Sequence, residues 1–170
     1  VSEGSTDLLL SSGTAMHAGA NLPGEGVLVC GGIGYAEDFI DDCTLIDSTY
    51  APSSRPGPGK ALVAPAMTTL DDGRILLTGG LDASSSSFND GALGSLYYNT
   101  IDAVSDAYVY EGGSWRALAS MNIDRAWHSA VLLPDGQVLI AGGVTGVIGT
   151  GTDSDAFGVM FHPSEAIACA

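Results

Sequence analysis

From Met121 to Gly143 the chain reads MNIDRAWHSAVLLPDGQVLIAGG, with apolar residues on both sides of a Pro134-Asp135-Gly136 turn and a glycine pair at its end. That is the pattern of a β-hairpin. The same frame occurs twice more. Leu22 to Gly32 is LPGEGVLVCGG, Leu70 to Gly80 is LDDGRILLTGG and Leu133 to Gly143 is LPDGQVLIAGG, each a turn, a short and mostly apolar run, and a doublet of glycines. His17 and His128 also stand the same distance ahead of their doublets, Gly31-Gly32 and Gly142-Gly143. Three in-register matches without an internal gap define a repeat, which constrains the fold before any other signal.

Taken in order, Asp7 to Leu10 reads as the last strand of a repeat whose beginning lies elsewhere. The first unit is expected to open with a strand from Met16 to Leu22, continue with Val27 to Cys30 and Gly31-Gly32, and reach a third strand, Cys43 to Asp47, through the acidic loop Ala36 to Asp42. Ser53 to Gly59 (SSRPGPG) alternates Pro and Gly too densely for a strand interior and reads as a connection. The second unit is expected to run through strands Ala61 to Leu70, Arg74 to Thr78, Ala107 to Tyr110 and Ser114 to Met121. Its doublet is Gly79-Gly80 and its long loop Leu81 to Asp106. The third has strands Trp127 to Leu133, Gln137 to Ala141 and Ala156 to Phe161, followed by His162-Pro163.

The apolar runs are short and rich in Val, Ile, Leu and Tyr, as in strands covered on both faces. No long segment keeps a helical period, and 24 glycines and 7 prolines interrupt the chain. An all-β fold follows. A sheet of up to four strands cannot cover both its faces alone, and radial stacking of such sheets, as in a propeller, buries them against one another. The doublets suit places where backbones converge near the axis and a Cβ would intrude.

These units resemble the kelch repeat. The resemblance rests on the doubled glycine after the second strand, the aromatic third strand with Tyr108 and Tyr110, Trp115 on the fourth strand, and the opening Arg125, Trp127, His128, Ser129. The strand HSAVLLPDGQVLIAGG is also similar to those of galactose oxidase-type propellers. The resemblance implies kelch-type blades of four antiparallel strands, about three in this chain: residues 1–12 as the last strand of a preceding or partner blade, 13–60 as blade A, 61–121 as blade B, and 122–170 as blade C without its last strand. Propellers close with about 4 to 8 blades. The chain is therefore expected to be a segment of a longer one, or a half-propeller that a second copy completes as a homo-oligomer with two-fold symmetry.

Charge narrows the partners. The 170 residues hold 20 acidic and 5 basic side chains, a formal charge of -15. Such a field repels nucleic acid and anionic membrane surfaces and favours cations and basic surfaces. No apolar stretch approaches the ~20 residues of a spanning helix, so the chain is not expected to be membrane-embedded. Cys30 and Cys43 flank the second and third strands of the first unit, where a hairpin would set them side by side. They are a candidate disulfide, the alternative being two buried thiols. The acidic, Lys-poor and Ser/Gly-rich composition points to an extracellular or cell-surface protein, with a periplasmic location as the alternative.

Candidate chemistry is sparse. His17 and His128 are repeat-borne and expected to be structural, like the six doublet glycines and Trp115. The acidic loops carry Glu37, Asp38, Asp41 and Asp42 in the first unit and Asp82, Asn89 and Asp90 in the second, candidate sets for Ca²⁺, whose ligands are several oxygens; plain solvation of these residues is the alternative. Asp82, Asn89, Asp90, Tyr97 and Tyr98 lie on the long loop, where the tyrosines offer flat contact area. The sequence thus points to a non-catalytic binding or assembly module for a protein or glycan partner, its contacts made through long inter-strand loops. Two alternatives stand beside it. One is part of a copper radical oxidase of the galactose or glyoxal oxidase kind, a family with a Cys-linked Tyr, an axial Tyr and two His, none of which can be matched here residue by residue. The other is a structural subunit of a larger homo-oligomer.

Overall fold

The computed structural model describes residues 14–34, 39–83, 101–145, 147–148 and 167–169. Among them there is no helix; the fold is all-β, built of small antiparallel sheets. In chain order the strands are β1 (Thr14–Ala15), β2 (Ala18–Leu22), β3 (Gly26–Cys30), β4 (Ile33–Gly34), β5 (Cys43–Asp47) and β6 (Pro52–Arg55). β7 (Leu62–Val63), β8 (Ala66–Thr69), β9 (Ile75–Thr78), β10 (Leu81–Asp82), β11 (Ile101–Ala103), β12 (Ala107–Glu111) and β13 (Ser114–Ala117) follow. The last are β14 (Ser129–Leu132), β15 (Val138–Ala141), β16 (Val147–Ile148) and β17 (Ile167–Cys169). Three sheets are blades: β2-β3-β5-β6 is blade A, β8-β9-β12-β13 is blade B, and β14-β15-β17 is blade C.

The blades form a partial propeller because one spatial step relates A to B and B to C. The first strands of neighbouring blades lie side by side, β2 against β8 and β8 against β14. The amide of Gly32 donates to Leu62 O at 2.9 Å across the first interface, and the amide of Gly80 donates to Arg125 O at 2.8 Å across the second. Three further equivalent pairs recur: Ala15 with Ile33, Val63 with Leu81, and Ala126 with Val144.

Burial follows the same plan. All four residues of β9 are buried, Ile75 and Leu77 in the core shared with blade A and Leu76 in the core shared with blade C. A strand covered on both faces needs no polar alternation, which is why ILLT reads as a continuous apolar run. Each fully buried Leu or Ile contributes roughly 1.5–3 kcal/mol from burial. Blade A has a neighbour on one face only among the described residues, and β2 alternates accordingly: Ala18, Ala20 and Leu22 are buried while Gly19 and Asn21 are exposed.

Several strand expectations are corrected. Pro52–Arg55, which overlaps the stretch Ser53 to Gly59 read as a connection, is the outer strand of blade A and pairs with β5. Proline is tolerated there because an edge position needs no inward-facing donor. The strands expected to open at Met16, Ala61 and Trp127 are interrupted, and β2, β8 and β14 begin only at Ala18, Ala66 and Ser129. In each, the interrupting residue has positive φ: Met16 at 58°, Ala64 at 53° and Trp127 at 54°. The long loop of blade B is also not wholly irregular, since β10 and β11 continue its hairpin beyond the doublet and join β7 and β16 in a small sheet. The third strand of blade C that pairs with β15 is Ile167–Cys169. The expected strands Asp7 to Leu10 and Ala156 to Phe161, and His162, lie outside the described residues.

Candidate functional site

Strand direction sorts the connections onto two ends of the blades. At one end lie tight turns: Leu22 to Gly26, Asp47 to Ala51, Leu70 to Arg74, Glu111 to Ser114 and Leu133 to Gln137. Local hydrogen bonds close them, such as the amide of Gly73 to Leu70 O at 2.9 Å and the amide of Gly136 to Leu133 O at 3.0 Å. The three doublets, the connections between second and third strands and the links between blades all lie at the other end, the doublet end. Functional groups concentrate on loops held by a rigid scaffold, so the doublet end is the candidate site.

Its inner rim is a row of three backbone hydrogen bonding partners. The amide of Ala64 donates to Met16 O at 2.7 Å, and the amide of Trp127 donates to Ala64 O at 3.0 Å. Met16, Ala64 and Trp127 occupy equivalent repeat positions, each the same distance ahead of its doublet. A non-glycine residue at positive φ costs of order 1–2 kcal/mol, and here the blade-to-blade hydrogen bond holds it in place. Met16 is 49% exposed and Trp127 45%, whereas Ala64 between them is buried.

Directly behind the rim is a buried polar cluster. His128 Nε2 and Thr78 Oγ1 share a hydrogen bond of 2.9 Å between blades C and B. Burial holds the imidazole down to about pKa 4, with the Arg125 guanidinium adding to the effect. Arg125 is fully buried and donates from Nη1 to Gly142 O at 2.9 Å. Gly79 makes the room: a Cβ there would lie 2.3 Å from Arg125 O and 2.8 Å from His128 Cε1. His128 thus acts as an inter-blade tie. Its repeat equivalent His17 is exposed and meets Thr14 Oγ1 through Nδ1 at 3.1 Å.

A second cluster braces the stem of the long loop. Lys60 Nζ reaches Asp106 Oδ2 at 2.7 Å and Asp82 Oδ2 at 3.0 Å, joining the two ends of the loop. These hydrogen bonds, Asp106 first, raise the lysine pKa above its ordinary value. The Tyr108 hydroxyl donates to the same Asp106 oxygen at 3.3 Å. Asp82, a binding candidate by sequence, is therefore part of an ion-pair brace.

Cys30 and Cys43 face each other across β3 and β5 and form a disulfide with Cα atoms 4.2 Å apart. The bridge is buried in the core between blades A and B, and such a bond is favoured by an oxidising environment. Trp115 packs on Tyr110 with ring centroids 5.1 Å apart and donates from Nε1 to Pro56 O at 3.0 Å, tying the outer strand of blade B to the link from blade A. Asp41 and Asp42 are exposed. Glu37, Asp38, Asn89, Asp90, Tyr97 and Tyr98 lie outside the described residues. No group of three His, Cys, Asp or Glu side chains among the described residues is placed to hold a metal ion. No described helix is long and apolar enough to cross a membrane.

Sequence reasoning did not find the Met16–Ala64–Trp127 row, the Thr78 partner of His128 or the Lys60 brace. Only the constant spacing to the doublets hinted at the first; the other two join residues far apart in the chain.

No family model matches the chain, and no curated protein matches its sequence. Among solved structures it is similar to that of YjhT, with a TM-score of 0.55 and 18% identity over 78% of this chain and 35% of that one. The chain thus spans about a third of the length of the structure it matches, and the likeness is one of fold.

Proposed function

We propose that this chain is a kelch-like propeller portion of an extracellular or cell-surface protein and that it is a non-catalytic binding module for a protein or glycan partner. One observation carries the reading: every long connection and the exposed rim residues Met16 and Trp127 share the doublet end, while tight turns close the other. Three of the reactive side chains described at that end are engaged structurally. His128 is held by Thr78, Lys60 by two carboxylates, and Cys30 by Cys43. The buried disulfide and the acidic, lysine-poor composition support an extracellular setting, and the doublets with Trp115 on a fourth strand support the kelch likeness.

The test places a bulky polymer at either end. In a Cys169→Ser background, Asp102→Cys, exposed on β11 at the doublet end, and Asp135→Cys, in a turn at the other, are each coupled to polyethylene glycol maleimide and probed on glycan and peptide arrays. The polymer at residue 102 is expected to abolish binding and that at 135 to spare it. Equal loss at both ends, or loss only at 135, overturns the reading.

A further inference from the structure

We propose that the doublet end binds a basic peptide segment, with the indole of Trp127 as its docking platform; the proposal rests on the contact face assigned above. The axial row requires only a backbone amide and carbonyl at this position, as Ala64 shows at the equivalent place. The indole is thus unexplained by the scaffold, and it stands 45% exposed. Its backbone is held from both sides. Ala126 exchanges two hydrogen bonds with Val144, at 3.0 and 2.9 Å, and His128 is tied to Thr78 at 2.9 Å. A large aromatic surface is therefore presented in a fixed place, so little ordering is required when a ligand stacks on it.

Charge selects the ligand. The described residues that follow the three doublets, 31–34, 39–42, 79–83, 101–106, 142–145 and 147–148, include acidic residues and neither lysine nor arginine. Asp41, Asp42 and Asp102 among them are exposed. The basic residues of the inter-blade links at this end are already engaged, Lys60 by two carboxylates and Arg125 in the buried cluster. An anionic surround concentrates cations, and an indole face then attracts them through its quadrupole. Arginine suits both features, because its guanidinium stacks on a ring while its N–H groups remain free for carboxylates. A neutral sugar can stack on the indole but gains nothing from the charge.

The test titrates the full chain at low salt with an amidated peptide of alternating arginine and glycine, following tryptophan emission and calorimetry. A glutamate-glycine counterpart and a neutral oligosaccharide are run beside it. The arginine peptide is expected to bind, more weakly as salt rises, with Trp127→Leu weakening it about tenfold and Trp127→Phe only a few-fold. Unchanged affinity in Trp127→Leu, equal binding of the glutamate peptide, or no binding of the arginine peptide overturns the proposal. Binding of the oligosaccharide alone also overturns the ligand class, while leaving the contact face in place. Should Trp127→Leu not fold, Trp115→Phe leaves Trp127 as the sole tryptophan, and an arginine peptide that does not alter its emission overturns the proposal equally.

Discussion

Gly79 and Gly142 occupy the same place in successive repeats, both with positive φ, 57° and 73°, yet the structure predicts very different consequences of adding one methyl group. At Gly142 nothing lies within 4 Å of the new Cβ. Gly142→Ala therefore meets only the backbone cost of the left-handed region, about 1 kcal/mol. At Gly79 the Cβ would sit 2.3 Å from Arg125 O and 2.8 Å from His128 Cε1, and the nearer obstacle is backbone. Relief requires the inter-blade link to move, which breaks the 2.8 Å bond from the Gly80 amide to Arg125 O and disturbs the Thr78–His128 bond. Each buried group left unsatisfied costs about 1–3 kcal/mol. With the backbone cost added, Gly79→Ala is expected to destabilise by about 4 kcal/mol. At about 2–4 °C per kcal/mol for a chain of this size, the melting temperature falls by about 3 °C for Gly142→Ala and by 10 °C or more for Gly79→Ala. Urea titrations followed by tryptophan emission give both values, with the slope compared between variants to check that the unfolding reaction is unchanged. If the two alanines cost within about 1 kcal/mol of each other, close approach of neighbouring blades is not what the Gly79 position serves.

His128 titrates near 4 when folded and near 6.5 when unfolded, so the unfolded chain takes up the proton first as pH falls. The stability present above pH 6.5 is then lost by about 3 kcal/mol as pH drops through the folded value, and His128→Gln removes the part of the pH dependence between these limits in urea titrations. The disulfide closes a span of 13 residues, and by loop entropy replacing both cysteines with alanine costs about 3 kcal/mol. Dithiothreitol should lower the melting temperature of the native chain and leave the double variant unchanged. Lys60→Met breaks a brace that is one-third exposed, so it costs only about 1 kcal/mol, and a melting difference that does not shrink in high salt counts against the ion pairs.

The blades were legible where residue type and geometry coincide. At Gly31 and Gly79 a Cβ would strike a backbone carbonyl leading into the next blade, Leu62 O and Arg125 O, so the first two doublets mark blade interfaces directly. The Ile75 to Thr78 run was equally readable, since burial on both faces removes the need for polar alternation. Other features depend on partners distant in sequence. The bends at Met16, Ala64 and Trp127 are imposed by hydrogen bonds from the next blade, and nothing in a methionine, alanine or tryptophan announces positive φ. Pro52–Arg55 was missed because composition argues against strands in general, whereas an outer edge forgives proline. His128 was recognisable as repeat-borne, but Thr78, its partner across 50 positions, was not. The choice between a bridge and two thiols turned on the register of β3 and β5, which spacing alone leaves undecided.

The row formed by Met16, Ala64 and Trp127 separates shape from identity. Because main-chain atoms alone hold these bends, the positions accept a thioether, a methyl group or an indole without altering the frame around them. Mutation can therefore rewrite this surface one sheet at a time while the support stays fixed.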